Sequence, residues 1–177
     1  TFWLRLDDLD PEAEYAYQYI IDGELKLADP YARKVLDPYN DGFIPEDIYP
    51  DLKAYPYKST SDLVSSFRLE EESYAWKTQG YEPPASSDLQ IYELLIRDFV
   101  EDHSYRSVID SLDYLESIGI NAIELMPVME FEGNSSWGYN TSFHFALDKY
   151  YGTPNDFKEF VDACHSRGIA VILDIVI

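Results

Sequence analysis

Six aromatic side chains, Trp137, Tyr139, Phe143, Phe145, Tyr150 and Tyr151, crowd the stretch SSWGYNTSFHFALDKYYGT, residues 135–153. Carboxylates flank it: Asp98, Glu130 and Glu132 come before, and Asp174 follows. Flat rings with polar rims beside acids make an acidic, aromatic-walled pocket, and that suits a neutral polyol such as a sugar. A second reading needs no ligand: the rings plug the end of a sheet, and the acids are solvated. Which reading holds depends on whether the fold brings these residues together.

The elements around them are legible. LQIYELLIRDF, residues 89–99, is an apolar run fit for a strand buried on both faces. Val108, Ile109, Leu112 and Leu115 recur at helical spacing and predict a helix over 106–118, closed by Gly119. NAIELMPVM, residues 121–129, reads as a second strand. A second helix over 154–167 opens with Thr153 as N-cap, Pro154 in its first turn and Asp156 placed for a capping box. It buries Phe157, Phe160, Val161 and Cys164, and closes with Arg167, Gly168 and His165, the last read as a cation at the helix end. IAVILDIVI, residues 169–177, is the third strand. Strands alternating with helices imply parallel pairing with right-handed crossovers. The aromatic stretch follows the second strand, so it belongs at the carboxyl ends of the strands, where such sheets bind ligands. Asp98, Glu130 and Asp174 are expected on that side. A connection there usually needs only about 2–6 residues, so this one is long.

Before residue 90 the pattern is that of strands. TFWLRLDD alternates Phe2, Leu4 and Leu6 against Trp3 and Arg5; EYAYQYIIDGELKLADP alternates Tyr15, Tyr17, Tyr19 and Ile21 before the hairpin signal Asp22-Gly23. Prolines and tyrosines punctuate residues 29–84, with one further strand near LVSSFRL. YEPPASSD, residues 81–88, reads as a stiff linker, which divides the chain into 1–84 and 85–177. With 46% hydrophobic residues the chain can bury a core, while a net charge of -21 argues against nucleic acid or an anionic membrane as partner. One cysteine and three histidines speak against a disulfide framework and a Cys/His zinc site, and no cofactor or metal is implied.

In order and spacing, IYELLIRDF, GINAIELMPV and WGYNTSFHFALDKYYGTPNDFKEFVDACHSRGIAVILDIVI resemble glycoside hydrolase family 13, the α-amylase superfamily. The resemblance covers about half the chain. It implies an α/β fold: the first three β/α units of a (β/α)8 TIM barrel, in an enzyme acting on α-linked glucans such as starch or glycogen with retention. YAYQYIIDGELKLADPYARKVLDPYND resembles the late strands of the immunoglobulin-like module (carbohydrate-binding module family 48 type) of branching and debranching members. It implies a partial all-β sandwich over 1–84, with Thr1 already on a middle strand of a truncated module. A doubly wound, flavodoxin-like sheet with helices on both faces is the rival architecture.

By the same resemblance, Tyr139 matches the family tyrosine whose ring stacks on the sugar next to the scissile bond. Trp137 extends that platform or packs the loop. Asn140 stands where relatives often place Asp or Gln. Asp174 matches an active-site carboxylate that supports the reaction electrostatically without attacking. These four are the candidate substrate-binding residues. The nucleophile, general acid and third carboxylate are expected beyond Ile177, so the segment alone is expected to be inactive. A branching α-1,4-glucan transferase, or a non-catalytic glucan-binding protein, are the alternatives. Glu93 and Asp98 are read as structural, Glu130 and Glu132 as solvated; His103 and His144 match no catalytic position. Tyr139 should lie within about 10 Å of Asp174, with Phe143, Phe145, Tyr150 and Tyr151 packed beneath the loop. Tyr139→Phe should be mild, because the ring face does the stacking.

Overall fold

The first half is antiparallel β structure. In the computed structural model, which describes residues 3–71 and 73–177, it contains β1 (Tyr15–Tyr17), β2 (Tyr19–Ile21), β3 (Leu25–Leu27), β4 (Lys34–Leu36) and β5 (Val64–Phe67). The alternating run from Tyr15 to Ile21 is divided at Gln18. On one side β1 joins a sheet of order β1-β5-β4; on the other β2 pairs with β3. Gln18 marks the crossing, its Nε2 donating to the Leu63 carbonyl at 2.8 Å. The expected hairpin turn is present, with Asp22 and Gly23 both at positive φ (54° and 78°). The strand β4 was not expected; three residues between two prolines are too few to show a period. Trp3, Leu4, Arg5 and Leu6 form no strand and are exposed, which corrects the alternation reading there. Alternation makes a strand only where a partner ladder receives it. Phe2 lies outside the described residues.

The second half holds β6 (Ile91–Leu94), α1 (Ile96–Phe99), α2 (Tyr105–Asp110), α3 (Leu112–Ser117), β7 (Ala122–Leu125), β8 (Met129–Phe131), β9 (Thr141–Leu147), α4 (Pro154–Ser166) and β10 (Ala170–Leu173). Strands β6, β7 and β10 pair in parallel in that order, with Leu94, Leu125 and Leu173 in register. The second strand in sequence is therefore the middle one. A flavodoxin-like order would put the first strand there. Both helical segments cover one face. Val108, Leu112, Leu115, Phe160 and Cys164 share a core with Leu94, Ile123 and Leu125. The Tyr105 and Phe157 rings meet at 5.3 Å, and Arg106 Nε reaches Asp156 Oδ1 at 2.7 Å.

Three boundaries differ from the pattern. The apolar run 89–99 is strand only to Leu94, and Ile96–Phe99 turn helical; a short apolar run does not separate the two states. The helix expected over 106–118 is interrupted at Ser111, whose Oγ donates back to the Ser107 carbonyl at 3.3 Å. The third is the aromatic stretch, most of which is a β-hairpin rather than a loop. The chain leaves β7, turns at Pro127, and runs antiparallel as β8 and β9. The capping box at Thr153 and Asp156 forms as its spacing predicts.

Two polar clusters join the halves. On the outer side of α4, Asp162 accepts from the backbone N–H groups of Lys77 (2.7 Å) and Thr78 (2.8 Å) and from the Tyr74 hydroxyl (3.0 Å). Burial alone would raise its pKa, yet these bonds hold the carboxyl well below the usual range. Tyr81 stacks on His165 with ring centroids 3.9 Å apart. Burial there lowers the imidazole pKa, so His165 is a neutral packing group and not the expected cation. In the second cluster, buried Lys149 pairs with Glu130 of β8 and with Asp41 of the first half, the latter at 3.3 Å. Asp148 is buried beside it and accepts from the Tyr150 and Phe131 backbone N–H groups at 2.9 and 3.2 Å. Glu130 is thus an interior ion-pair partner, against the expectation of a solvated acid.

Candidate functional site

Asp174 lies one residue past β10, its N–H donating to the Leu125 carbonyl at 2.9 Å, so the parallel ladder delivers it to the carboxyl end of the sheet. Tyr139 comes from the other direction, out of the turn that leads into β9. Its hydroxyl donates to Asp174 Oδ2 at 2.6 Å. The hydrogen bond to Asp174, partial burial, and the negative charges of Asp174, Glu93 and Glu124 together push the phenol up to about 12, so it remains a neutral donor. Glu93 and Glu124 are register neighbours on β6 and β7. One ring and three carboxylates thus share one electrostatic neighbourhood at the mouth of the sheet.

The turn carrying Tyr139 is tied down from inside. Gly138 N–H donates to Ser136 Oγ at 3.0 Å, Ser136 Oγ donates to Asn140 Oδ1, and Thr141 Oγ1 donates to the Gly138 carbonyl at 3.1 Å. Asn140 Nδ2 reaches the Glu132 carbonyl at 3.4 Å. Asn140 is therefore spent on loop geometry in this structure. Trp137 is 61% exposed at the outer edge of the turn. Arg97 links the turn to α1, its guanidinium bonding Asp98 at 2.8 Å and lying 3.5 Å from Ser135 Oγ. Asp98 is thereby a partner of Arg97 and contributes no contact to the Tyr139–Asp174 pair.

Gly138 is the tightest point. It has φ of 90° and is packed so closely on Pro127 that a Cβ would overlap the Pro127 carbonyl oxygen and stand 2.8 Å from Pro127 Cβ. Backbone strain and overpacking each carry costs of about 1–3 kcal/mol. Gly138→Ala is therefore expected to lower stability by about 2–4 kcal/mol and to dislodge Tyr139, read as a lower urea midpoint. An unchanged midpoint would show that the turn has room the structure does not reveal.

The remaining rings divide. Phe143 and Tyr151 are buried and Tyr150 is partly buried against His103, as expected for a packed base. Phe145 is not beneath the loop; it is 60% exposed and lies against Tyr31 of the first half, with centroids 5.3 Å apart. His144, between them on β9, was missed by sequence reasoning. Its Nε2 donates to the Val176 carbonyl at 2.8 Å, stitching β9 to the chain two residues beyond Asp174. Alternation in TSFHFAL was the available signal, since it turns Phe143 and His144 to opposite sides. Among the described residues no group of three or more His, Cys, Asp or Glu side chains is arranged to hold a metal, and no helix is long and apolar enough to cross a membrane.

With this geometry in place, the similarities to known proteins are specific. Residues 98–177 match the family described as alpha amylase, catalytic domain. The chain is 31% identical over 160 residues to a malto-oligosyltrehalose trehalohydrolase of Saccharolobus solfataricus, covering 90% of this chain and 24% of that protein. It is 38% identical over 138 residues to the 1,4-alpha-glucan branching enzyme GlgB of Methylococcus capsulatus, covering 70% of this chain and 19% of the relative. A crystal structure of a putative alpha amylase from Salmonella typhimurium superposes with a TM-score of 0.71 at 28% identity, over 94% of this chain and 24% of that one. The chain thus spans about a quarter of the length of such relatives. From these matches, and from a parallel sheet carrying its acid and its ring at the expected end, the chain belongs to the α-amylase superfamily, glycoside hydrolase family 13, and holds part of its catalytic domain.

Proposed function

We propose that residues 85–177 form the first three β/α units of a (β/α)8 barrel, and residues 1–84 a partial immunoglobulin-like module, in an enzyme acting on α-linked glucans with retention. The observation that carries this reading is the Tyr139–Asp174 hydrogen bond of 2.6 Å at the carboxyl end of the parallel strands. Catalytic residues of such barrels gather at that end. In glycosyl transfer through an oxocarbenium-like state the sugar ring flattens, and a flat aromatic face packs against it. Tyr139 supplies that face; Asp174 holds the phenol in place and adds negative charge close to the developing positive charge. Trp137 extends the platform outward. Asn140 acts on substrate only through the turn that it stabilises. No residue of 85–177 is assigned as nucleophile or general acid, so this segment alone is expected to turn over no glucan.

Two finer activities have support, because the relatives named above are a trehalohydrolase and a branching enzyme. The full-length protein should be incubated with a maltooligosaccharide capped by trehalose and, separately, with unbranched amylose. Free trehalose identifies the first activity, and new α-1,6 linkages by NMR identify the second. With retention, the first-formed reducing end released in the hydrolysis should have the α configuration, as should the new linkage made in the transfer. Binding of both glucans without turnover would make the protein a non-catalytic glucan binder. Absence of both binding and turnover would refute the glucan reading altogether.

A further inference from the structure

Asp174 stands where the regular sheet has already ended. The last ladder pair of β10 is Leu173 with Leu125, and the Asp174 N–H adds one more bond, to the Leu125 carbonyl at 2.9 Å. Beyond it Ile175 and Val176 belong to no strand and are exposed. Neither a ladder nor packing against the described residues therefore fixes the path of the chain after Asp174. A carboxylate on such a segment swings with its backbone, and a misplacement of about 1 Å at a reacting site can cost roughly a hundredfold in rate. Hydrogen bonds from elsewhere in the fold have to hold it.

Two such bonds are present among the described residues, and both come from the hairpin of β8 and β9. Tyr139, just before β9, donates to Asp174 Oδ2 at 2.6 Å; His144, within β9, donates through Nε2 to the Val176 carbonyl at 2.8 Å. One bond holds the carboxylate and the other holds the backbone two residues on. A carbonyl only accepts, so Nε2 carries its proton, and the bond persists whether the imidazole is neutral or cationic. The strand that presents it is fixed: the adjacent Phe143 is anchored in the small core with Ala32, Val35 and Ala146. The imidazole itself is exposed and makes no other hydrogen bond among the described residues, so packing does not explain its place. We propose that His144 is a positioning residue for glycosyl transfer: by pinning the Val176 carbonyl it fixes the chain just after Asp174, and so holds the carboxylate where the Tyr139 hydroxyl and the sugar meet it. It acts through Asp174 and takes no part in bond making or breaking. Its effect on turnover rests on the glucan reading above, whereas the restraint on Asp174 rests on the hydrogen bonds.

The test uses the full-length protein, with steady-state turnover of whichever glucan named above the parent consumes, and with 3-fluorotyrosine placed at position 139 for fluorine NMR. Asp174→Asn is the reference for a disturbed Tyr139 hydrogen bond. His144→Ala should move the fluorine resonance in the direction that Asp174→Asn moves it. It should also lower kcat about three- to tenfold, the scale of one lost hydrogen bond, with KM within about twofold of the parent. His144→Gln, whose amide nitrogen reaches about as far as Nε2, should bring both readouts back close to the parent values. The urea midpoint should stay near that of the parent in both variants, because the ring is exposed. An unmoved resonance in His144→Ala would overturn the proposal, and so would a moved resonance with unchanged kcat. Equal losses in the Ala and Gln variants, or a loss of turnover that tracks a lower urea midpoint, would make the imidazole a packing group and overturn it as well. The same shift of the resonance in a protein whose parent turns over no glucan would keep the restraint on Asp174 and refute the glucan reading instead.

Discussion

Lys149→Met in the full-length protein is expected to lower the free energy of unfolding by about 3–5 kcal/mol, the scale of removing one partner from a buried ion pair. The ammonium is buried between Glu130 and Asp41, with the Asp148 carboxyl close by, and one Glu130 oxygen already has no hydrogen-bond partner among the described residues. Removing the only cation of that group leaves acids facing one another in a medium that screens poorly. Urea unfolding at about pH 9, where Glu130 is ionised, of the parent, Lys149→Met, and Lys149→Met combined with Glu130→Gln would read this. The double variant should recover much of the loss, because the neutral amide needs no counter-charge. If Lys149→Met cost less than about 1 kcal/mol, the cluster would be hydrated and the ion pair incidental.

The same cluster sets a pH dependence. Burial pushes Glu130 up to about 8 and Asp148 to about 6, against the pull of Lys149. A carboxyl whose pKa is raised by folding is most stabilising when protonated, below its unfolded value near 4.5, and that contribution is lost as pH rises through the folded value. Unfolding free energy should therefore decline between about pH 5 and 8, and Glu130→Gln should flatten the slope. A slope of the opposite sign, or one that Gln leaves unchanged, would contradict this account.

The second large effect is on turnover. Tyr139→Ala in the full-length protein is expected to lower kcat/KM by about 1–3 kcal/mol of transition-state binding, close to 5- to 150-fold, with little change in the urea midpoint. The ring is 42% exposed and lines a mouth, so the fold loses little without it. The structure also revises the expectation for Tyr139→Phe. The hydroxyl is not free; it holds Asp174, so its loss releases the carboxylate and should cost about 1 kcal/mol in kcat/KM. Equal losses of stability and activity in Tyr139→Ala would make the ring a core residue and end its assignment to substrate.

What the sequence by itself determined is what depends on local period and local chemistry. Apolar runs near 91–94, 122–125 and 170–173 marked the parallel strands, and the Thr153–Asp156 capping box marked the start of α4. Strand order after helix order then sent the aromatic stretch and Asp174 to the same end of the sheet, and there they meet. Tertiary structure decided what these rules do not cover. Glu130 and Glu132 look alike in sequence, but only Glu130 turns inward to Lys149, because Asp41 arrives from ninety residues earlier to complete the pair. Phe143 and Phe145 stand two residues apart on β9, yet Phe143 is buried in a small core with Ala32 and Val35, while Phe145 touches Tyr31 and stays exposed. His165 sits where a helix end favours a cation, and the Tyr81 ring, brought by the linker, makes it neutral. In each case the side chain is the same kind of group in either role, and burial against a distant segment chooses between them.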